Sequence, residues 1–185
     1  MIALGIGWIL VILVRLMLGR RVRRACRGQC IYVANHSSHM DTVLILAMLP
    51  APERRHTRPV ASEEYWTAGP VRRFLIHSIF QGVLIERERV QMNPLEPVSN
   101  ALRQGDSLIF FPEGTRGTGR ILQPLKPGIF HLARWFPEID IVPVWIDYSR
   151  LPRWSIEFGG PLRWREGQQQ DEFLAEVRDA LERLR

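Results

Sequence analysis

Short apolar runs alternate with helix-patterned segments along this chain, and that alternation limits the folds open to it more than any single motif does. Cys30-Ile31-Tyr32-Val33-Ala34, Gly82-Val83-Leu84-Ile85, Ser107-Leu108-Ile109-Phe110-Phe111 and Ile139 to Ile146 each read as strands, and Trp154 to Phe158 reads as a further one at a sheet edge. Such runs are too short for buried helices and too continuously apolar for a strand with one wet face. Met40 to Met48, Val71 to Ile79, Asn93 to Gln104 and Gly128 to Phe136 carry helical spacing between them, and Asp171 to Arg185 closes the chain as an amphipathic helix. Pro50 and Pro52 stop the first of these helices, whereas Pro94 and Pro97 fit only the opening turn of theirs. Residues 51–59, polar and rich in proline and arginine, read as a surface loop. Strands alternating with helices predict an α/β fold, one domain with a mixed, largely parallel sheet flanked by helices. At 185 residues such a domain buries roughly 70% of the surface its unfolded chain exposes.

Composition matters through its charge. The chain carries 25 basic and 19 acidic residues for a net charge of +6, but Arg15, Arg20, Arg21, Arg23, Arg24 and Arg27 hold all of the excess. Beyond residue 27 the two signs balance, so the folded part lacks the spread positive face of a nucleic-acid binder, and no nucleic-acid partner is expected. The arginines follow an apolar stretch, Met1 to Val14, broken by Arg15 and resumed by Leu16-Met17-Leu18. As a helix this segment is about 27 Å long, just short of a bilayer's hydrocarbon core of about 30 Å. A secretory signal would carry its charge before the apolar run, and here the order is reversed. Residues 1–27 therefore read as an apolar membrane helix with a basic collar, which would attract anionic headgroups and keep residues 28–185 on the cytoplasmic face. The alternative is a buried first helix of the domain. Cys26 and Cys30 cannot make a disulfide framework and read as inert thiols.

Three polar clusters interrupt the pattern. The first, Asn35-His36-Ser37-Ser38-His39-Met40-Asp41, directly follows a strand, where α/β sheets place their sites. On a regular helix His36 and Asp41 would lie on different faces. They meet only if His36 sits in a loop and Asp41 in the first turn of the next helix, with Ser37 or Ser38 capping. Asp41 would then fix one imidazole nitrogen and leave the other as a base. A capped helix start beside a solvated histidine accounts for the same residues. A metal site built from His36, His39 and Asp41 would need further ligands, and His56, His77 and His131 show no matching spacing. The second cluster, Phe111-Pro112-Glu113-Gly114-Thr115-Arg116, also follows a strand; its glycine turn with Arg116 and Arg120 could hold a phosphate, or be a solvated surface turn. In the third, Leu84-Ile85-Glu86-Arg87-Glu88-Arg89, alternation puts the arginines on one face and the acids on the other, as cross-strand ion pairing also would.

Taken together, the clusters resemble the glycerolipid acyltransferases of the lysophosphatidic-acid (PlsC-like) type. The first has that family's HxxxxD form, and Phe111 to Arg116 matches its second signature letter for letter. Leu84-Ile85-Glu86-Arg87, Leu125-Lys126-Pro127-Gly128 and Ile141-Val142-Pro143-Val144 stand where its other blocks stand, over roughly residues 29–150. Gly117 departs from the serine common there, and Arg89 adds a charge beside Arg87. The resemblance implies a glycerolphosphate-acyltransferase-like catalytic domain over 28–185, with His36 as general base and Asp41 as its orienting partner. It implies further that Arg87, Glu113, Gly114, Thr115, Arg116 and Lys126 bind the acceptor, and that the strand around Pro143 borders the acyl path. The acyl group would pass from acyl-CoA or acyl-carrier protein to the free hydroxyl of a lyso-glycerophospholipid, foremost lysophosphatidic acid, with no metal or other cofactor. Three alternatives stand beside this one: a hydrolase using the same His/Asp pair, acylation of another lyso-lipid such as a lyso-aminolipid, and a non-catalytic membrane adaptor.

Overall fold

The computed structural model describes residues 28–86, 93–118, 121–149 and 155–185; the expected membrane segment and collar at 1–27, with Cys26, and also Arg87, Arg89 and Arg120 lie outside them. The sheet is built from β1 (Cys30–Ala34), β2 (Thr57–Ser62), β3 (Val83–Ile85), β4 (Ser107–Phe110), β5 (Asp140–Asp147) and β6 (Ser155–Phe158). Its order is β3-β2-β4-β1-β5-β6. Five strands run parallel, and β6 closes one edge antiparallel to β5. This is the mixed, largely parallel sheet that the alternating pattern predicts.

The helices are α1 (Met40–Met48), α2 (Ala51–Arg55), α3 (Glu63–Thr67), α4 (Pro70–Phe74), α5 (Glu96–Arg103), α6 (Gly128–Trp135) and α7 (Gln170–Glu182). A π-helical turn, Leu75–Ile79, continues α4. Central β1 shows why both faces need cover. Its five residues are fully buried, with Ile31 and Val33 in a core that includes α5, α6 and α7 residues, and Cys30, Tyr32 and Ala34 in a second core under α1. The period-two alternation of side chains across a strand splits one apolar run between two cores. Helix α1 buries every residue from Val43 to Met48, as a helix apolar all round must.

The loop expected over 51–59 is not there. Residues 51–55 form α2, and β2 begins at Thr57 inside the sheet. Polar Thr57-Arg58-Pro59 conceals this strand, and so does the proline. The N–H of Ser107 donates to the His56 carbonyl (2.6 Å), and β2 then pairs with β4 over Thr57 to Pro59 and with β3 only from Val60 onward. The nitrogen of Pro59 falls on the side where β3 has not begun, so its missing N–H breaks no ladder bond. Among the described residues no helix is long and apolar enough to cross a membrane.

One edge of this sheet matters for chemistry. Because β1 to β5 are parallel, their carboxyl ends lie together, and the chain leaving β1, β2, β4 and β5 delivers His36, Tyr65, Glu113 and Tyr148 to that edge.

Candidate active site

Strand β1 stops where Asn35 turns its amide onto β5: Nδ2 donates to the Ile146 carbonyl (2.9 Å) and Oδ1 accepts the Ile146 N–H (2.8 Å). The loop that follows carries His36, and α1 opens at Met40 with Asp41 in its first turn. Asp41 is fully buried and draws the loop back onto itself. Its Oδ2 accepts the backbone N–H groups of Ser37 (2.8 Å) and Ser38 (2.9 Å) and lies 2.9 Å from His36 Nδ1. An oxygen that already accepts two N–H groups meets Nδ1 as a third acceptor contact, so Nδ1 carries a proton and, in the neutral ring, Nε2 is the bare nitrogen. This is the loop-plus-first-turn geometry that alone lets the two side chains meet.

The remaining Asp41 oxygen accepts the hydroxyl of Tyr148, just beyond β5. Burial, and then its bond to Asp41, raise the Tyr148 phenol well above its ordinary value, so it stays a donor. The capping expected of Ser37 or Ser38 is not found as such: His39 holds the cap position without a side-chain cap bond, and the Ser38 hydroxyl, one residue earlier, accepts the Met40 N–H (3.1 Å). The Ser37 hydroxyl is buried and hydrogen-bonds to nothing among the described residues, so neither serine is coupled to His36 as a nucleophile would be. The His36 ring stacks on Phe111 (4.1 Å between centroids) and keeps 21% of its side-chain surface exposed.

Glu113 is 3% exposed and points inward. One carboxylate oxygen accepts the His36 N–H (2.7 Å) and the other the Gln123 N–H (2.8 Å), so Glu113 clamps two loops. The Gly117 N–H adds a bond to the His36 carbonyl (2.8 Å). Gly114 sits at φ +67°, and a Cβ there would stand 2.8 to 2.9 Å from the outer atoms of Lys126. The turn itself requires glycine, and a side chain there would also push the lysine tail that crosses it aside. Arg116 reaches the other way: its Nη1 lies 2.6 Å from His39 Nε2, which also receives the Tyr65 hydroxyl (2.8 Å). Two donors on one nitrogen require a neutral imidazole. Burial, followed by the charge of Arg116, lowers the His39 pKa accordingly.

These groups surround a cavity of about 810 Å³. His36, His39, Gly114, Thr115, Arg116 and Lys126 stand on its wall, and Val60, Trp66, Ile76, Phe80 and Ile85 supply much of its apolar lining. Pro143 does not line this cavity, because β5 lies across β1 from β4 and β2; the apolar wall includes residues of β2, α3, the π-helical turn, β3, β4 and α6. Of the sequence-derived site residues, the structure thus gathers His36, Asp41, Gly114, Thr115, Arg116 and Lys126 about one opening. It sets Glu113 behind them, while Arg87 lies outside the described residues. Tyr148 and Tyr65 join the site without a signature block to announce them, only their places after β5 and β2 pointing to the same edge, and His39 joins it from an unassigned position within the first block.

Comparison with known proteins gives a consistent result. A family model described as Acyltransferase matches residues 18–147. The 1-acyl-sn-glycerol-3-phosphate acyltransferase of Escherichia coli K12 is 29% identical over 126 residues, 63% of this chain and 46% of the relative. The protein of that name, alpha form, from Ovis aries is 31% identical over 117 residues, 62% of this chain and 38% of the relative. That of Limnanthes alba is 31% identical over 152 residues, 76% of this chain and 45% of the relative. The chain spans less than half the length of these curated relatives.

Proposed function

The chain belongs to the Acyltransferase family, and from that premise we propose that it moves a fatty acyl group from a thioester to the free hydroxyl of a lyso-glycerophospholipid, lysophosphatidic acid above all. The bare Nε2 of His36 takes the proton from the acceptor hydroxyl as that oxygen attacks the thioester carbonyl. The tetrahedral adduct collapses with loss of the C–S bond, and the thiolate leaves with the proton that His36 held. Asp41 keeps the imidazole oriented and stabilises its charged form between those two transfers. Base catalysis of this kind contributes about 10²–10⁴-fold, the rest falling to positioning and to stabilisation of the oxyanion.

The observation that carries the reading is the placement of a histidine–carboxylate pair beside cations that have no carboxylate partner among the described residues, on the wall of one apolar cavity. Arg116 and Lys126 would take the acceptor's phosphate, Gly114 and Thr115 lining its approach, with Arg87 as a further ligand and Glu113 as the clamp that holds the His36 loop. The cavity would take the acyl chain. The donor is acyl-CoA or acyl-carrier protein, and residues 1–27 would hold the domain against the cytoplasmic face of a membrane.

Thiol release from palmitoyl-CoA by the detergent-solubilised protein, with and without lysophosphatidic acid, tests this reading. Release that depends on the lyso-lipid is the expected result. Equal release in water alone would make the protein a hydrolase. No release with either donor and any lyso-lipid would leave a binding protein.

A further inference from the structure

We propose that Arg72, which belongs to none of the signature blocks, is a second guanidinium for the acceptor's headgroup, and that with Arg116 it selects a terminal phosphomonoester over a phosphodiester. The proposal rests on the acyl-transfer reading and names the headgroup class that the site would take.

One aromatic pair carries both arginines. The rings of Tyr65 and His39 stack at 5.2 Å and 20°. The Arg72 guanidinium lies 4.3 Å from the Tyr65 centroid, and that of Arg116 lies 5.6 Å from the same centroid while bonding His39 Nε2. Stacking on an aromatic face orients a guanidinium without consuming its N–H groups. The one hydrogen bond Arg72 makes among the described residues, from Nη1 to the Tyr65 carbonyl, is long at 3.4 Å. Neither arginine has a carboxylate partner among the described residues, and the wall that holds Arg116 also holds Lys126. Like charges gathered without a counter-ion repel, and a bound anion offsets that repulsion. Two planar forks suit a phosphate better than a lone charge does, since each can take two of its oxygens.

The headgroup follows from charge and room. A phosphomonoester carries nearly two charges at neutral pH and three free oxygens, enough for both guanidiniums. A phosphodiester carries one charge, and its second ester arm would occupy the place of an oxygen. The neighbouring arginine supplies a control. Arg73 turns away from the ring and donates to the Thr67 carbonyl (3.1 Å).

The test compares kcat and KM of the full chain, in mixed micelles, for lysophosphatidic acid and for lysophosphatidylglycerol. Arg72→Gln should raise KM for lysophosphatidic acid about fivefold to tenfold with kcat unchanged, as loss of a charge-assisted contact would. It should leave KM for lysophosphatidylglycerol within about twofold, and Arg73→Gln should leave both constants unmoved. Equal effects of the two variants would show general attraction to an anionic surface and overturn the proposal, as would no effect of Arg72→Gln. Calorimetric titration with sn-glycerol 3-phosphate keeps the two readings separable. If the wild type acylates neither lipid, binding weakened by Arg72→Gln and not by Arg73→Gln would support the anion seat while the acceptor reading fails. Binding indifferent to Arg72 would overturn the seat itself.

Discussion

Around Asp41 the polar groups, the Ser37 hydroxyl apart, are spent on one another, whereas Arg116 and Lys126 on the cavity wall, and Arg72 over the Tyr65 ring, have no carboxylate partner among the described residues. The buried side is finished by the fold. Two backbone N–H groups, one imidazole and one phenol converge on Asp41, and Glu113 ties down the backbone of His36 from behind. The open side is held by stacking on Tyr65 and by the neutral ring of His39, contacts that orient charge without cancelling it. A base must be aimed before substrate arrives, and saturated hydrogen bonds in a buried place do that. A charged ligand site gains from the reverse, since each internal ion pair would have to be broken to admit the ligand.

If that division holds, changes on the buried side lower kcat or stability and changes on the open side raise KM. The largest effect belongs to His36→Ala, which should reduce acyl transfer by about 10²–10⁴-fold while the circular dichroism spectrum stays that of the wild type. Next is Glu113→Ala, which leaves the N–H groups of His36 and Gln123 without their acceptors. Each orphaned donor costs about 1–3 kcal/mol, so Tm measured by thermal unfolding should fall by roughly 4–24 °C.

Tyr148→Phe is a milder break on the same side. Tyr148 is a positioning residue, and loss of its bond to Asp41 should lower kcat about threefold to tenfold with KM for the acceptor unchanged. A rise in KM instead would place Tyr148 with the open side. The smallest effect is a pH dependence. The groups facing His39 are Arg116, His36, Arg72, Tyr65 and Asp41; burial first, then Arg116, His36 and Arg72, lower its pKa below 6.5, and Asp41 opposes them. The folded site stays neutral where a free histidine would already be charged, so stability falls as pH drops below about 6.5. Once protonated, Nε2 becomes a donor and releases Arg116, whose guanidinium can only donate, while the Tyr65 hydroxyl can turn to accept. KM for lysophosphatidic acid should therefore climb a few-fold as pH falls through the lowered value, and the climb should be weaker in His39→Gln.

Much of this was legible in the residues. The apolar runs of β1, β3, β4 and β5 announced themselves because a strand covered on both faces is apolar throughout. His36 and Asp41 could be paired because their five-residue spacing permits contact only across a loop and a first helical turn. Strand β2 escaped notice because Thr57, Arg58 and Pro59 have no apolar pattern, and their place in the sheet is set by β4 rather than by local preference. The contacts of Glu113 were illegible for a different reason. A carboxylate bound to two backbone N–H groups looks in sequence like one waiting for a ligand. Tyr148 and Tyr65 reach the site through the parallel order of the strands, which no spacing along the chain encodes.

The most direct test of the divided site is to measure kcat and KM for lysophosphatidic acid side by side in Asp41→Asn and Arg116→Gln. Asp41→Asn should lower kcat by about 10²–10⁴-fold with KM within about twofold of the wild type, because the amide misorients the imidazole and leaves the acceptor seat intact. Arg116→Gln should do the opposite, raising KM about tenfold or more with kcat nearly unchanged. Both variants losing kcat together, or both losing acceptor affinity together, would contradict the account, since the two sides would then act as one.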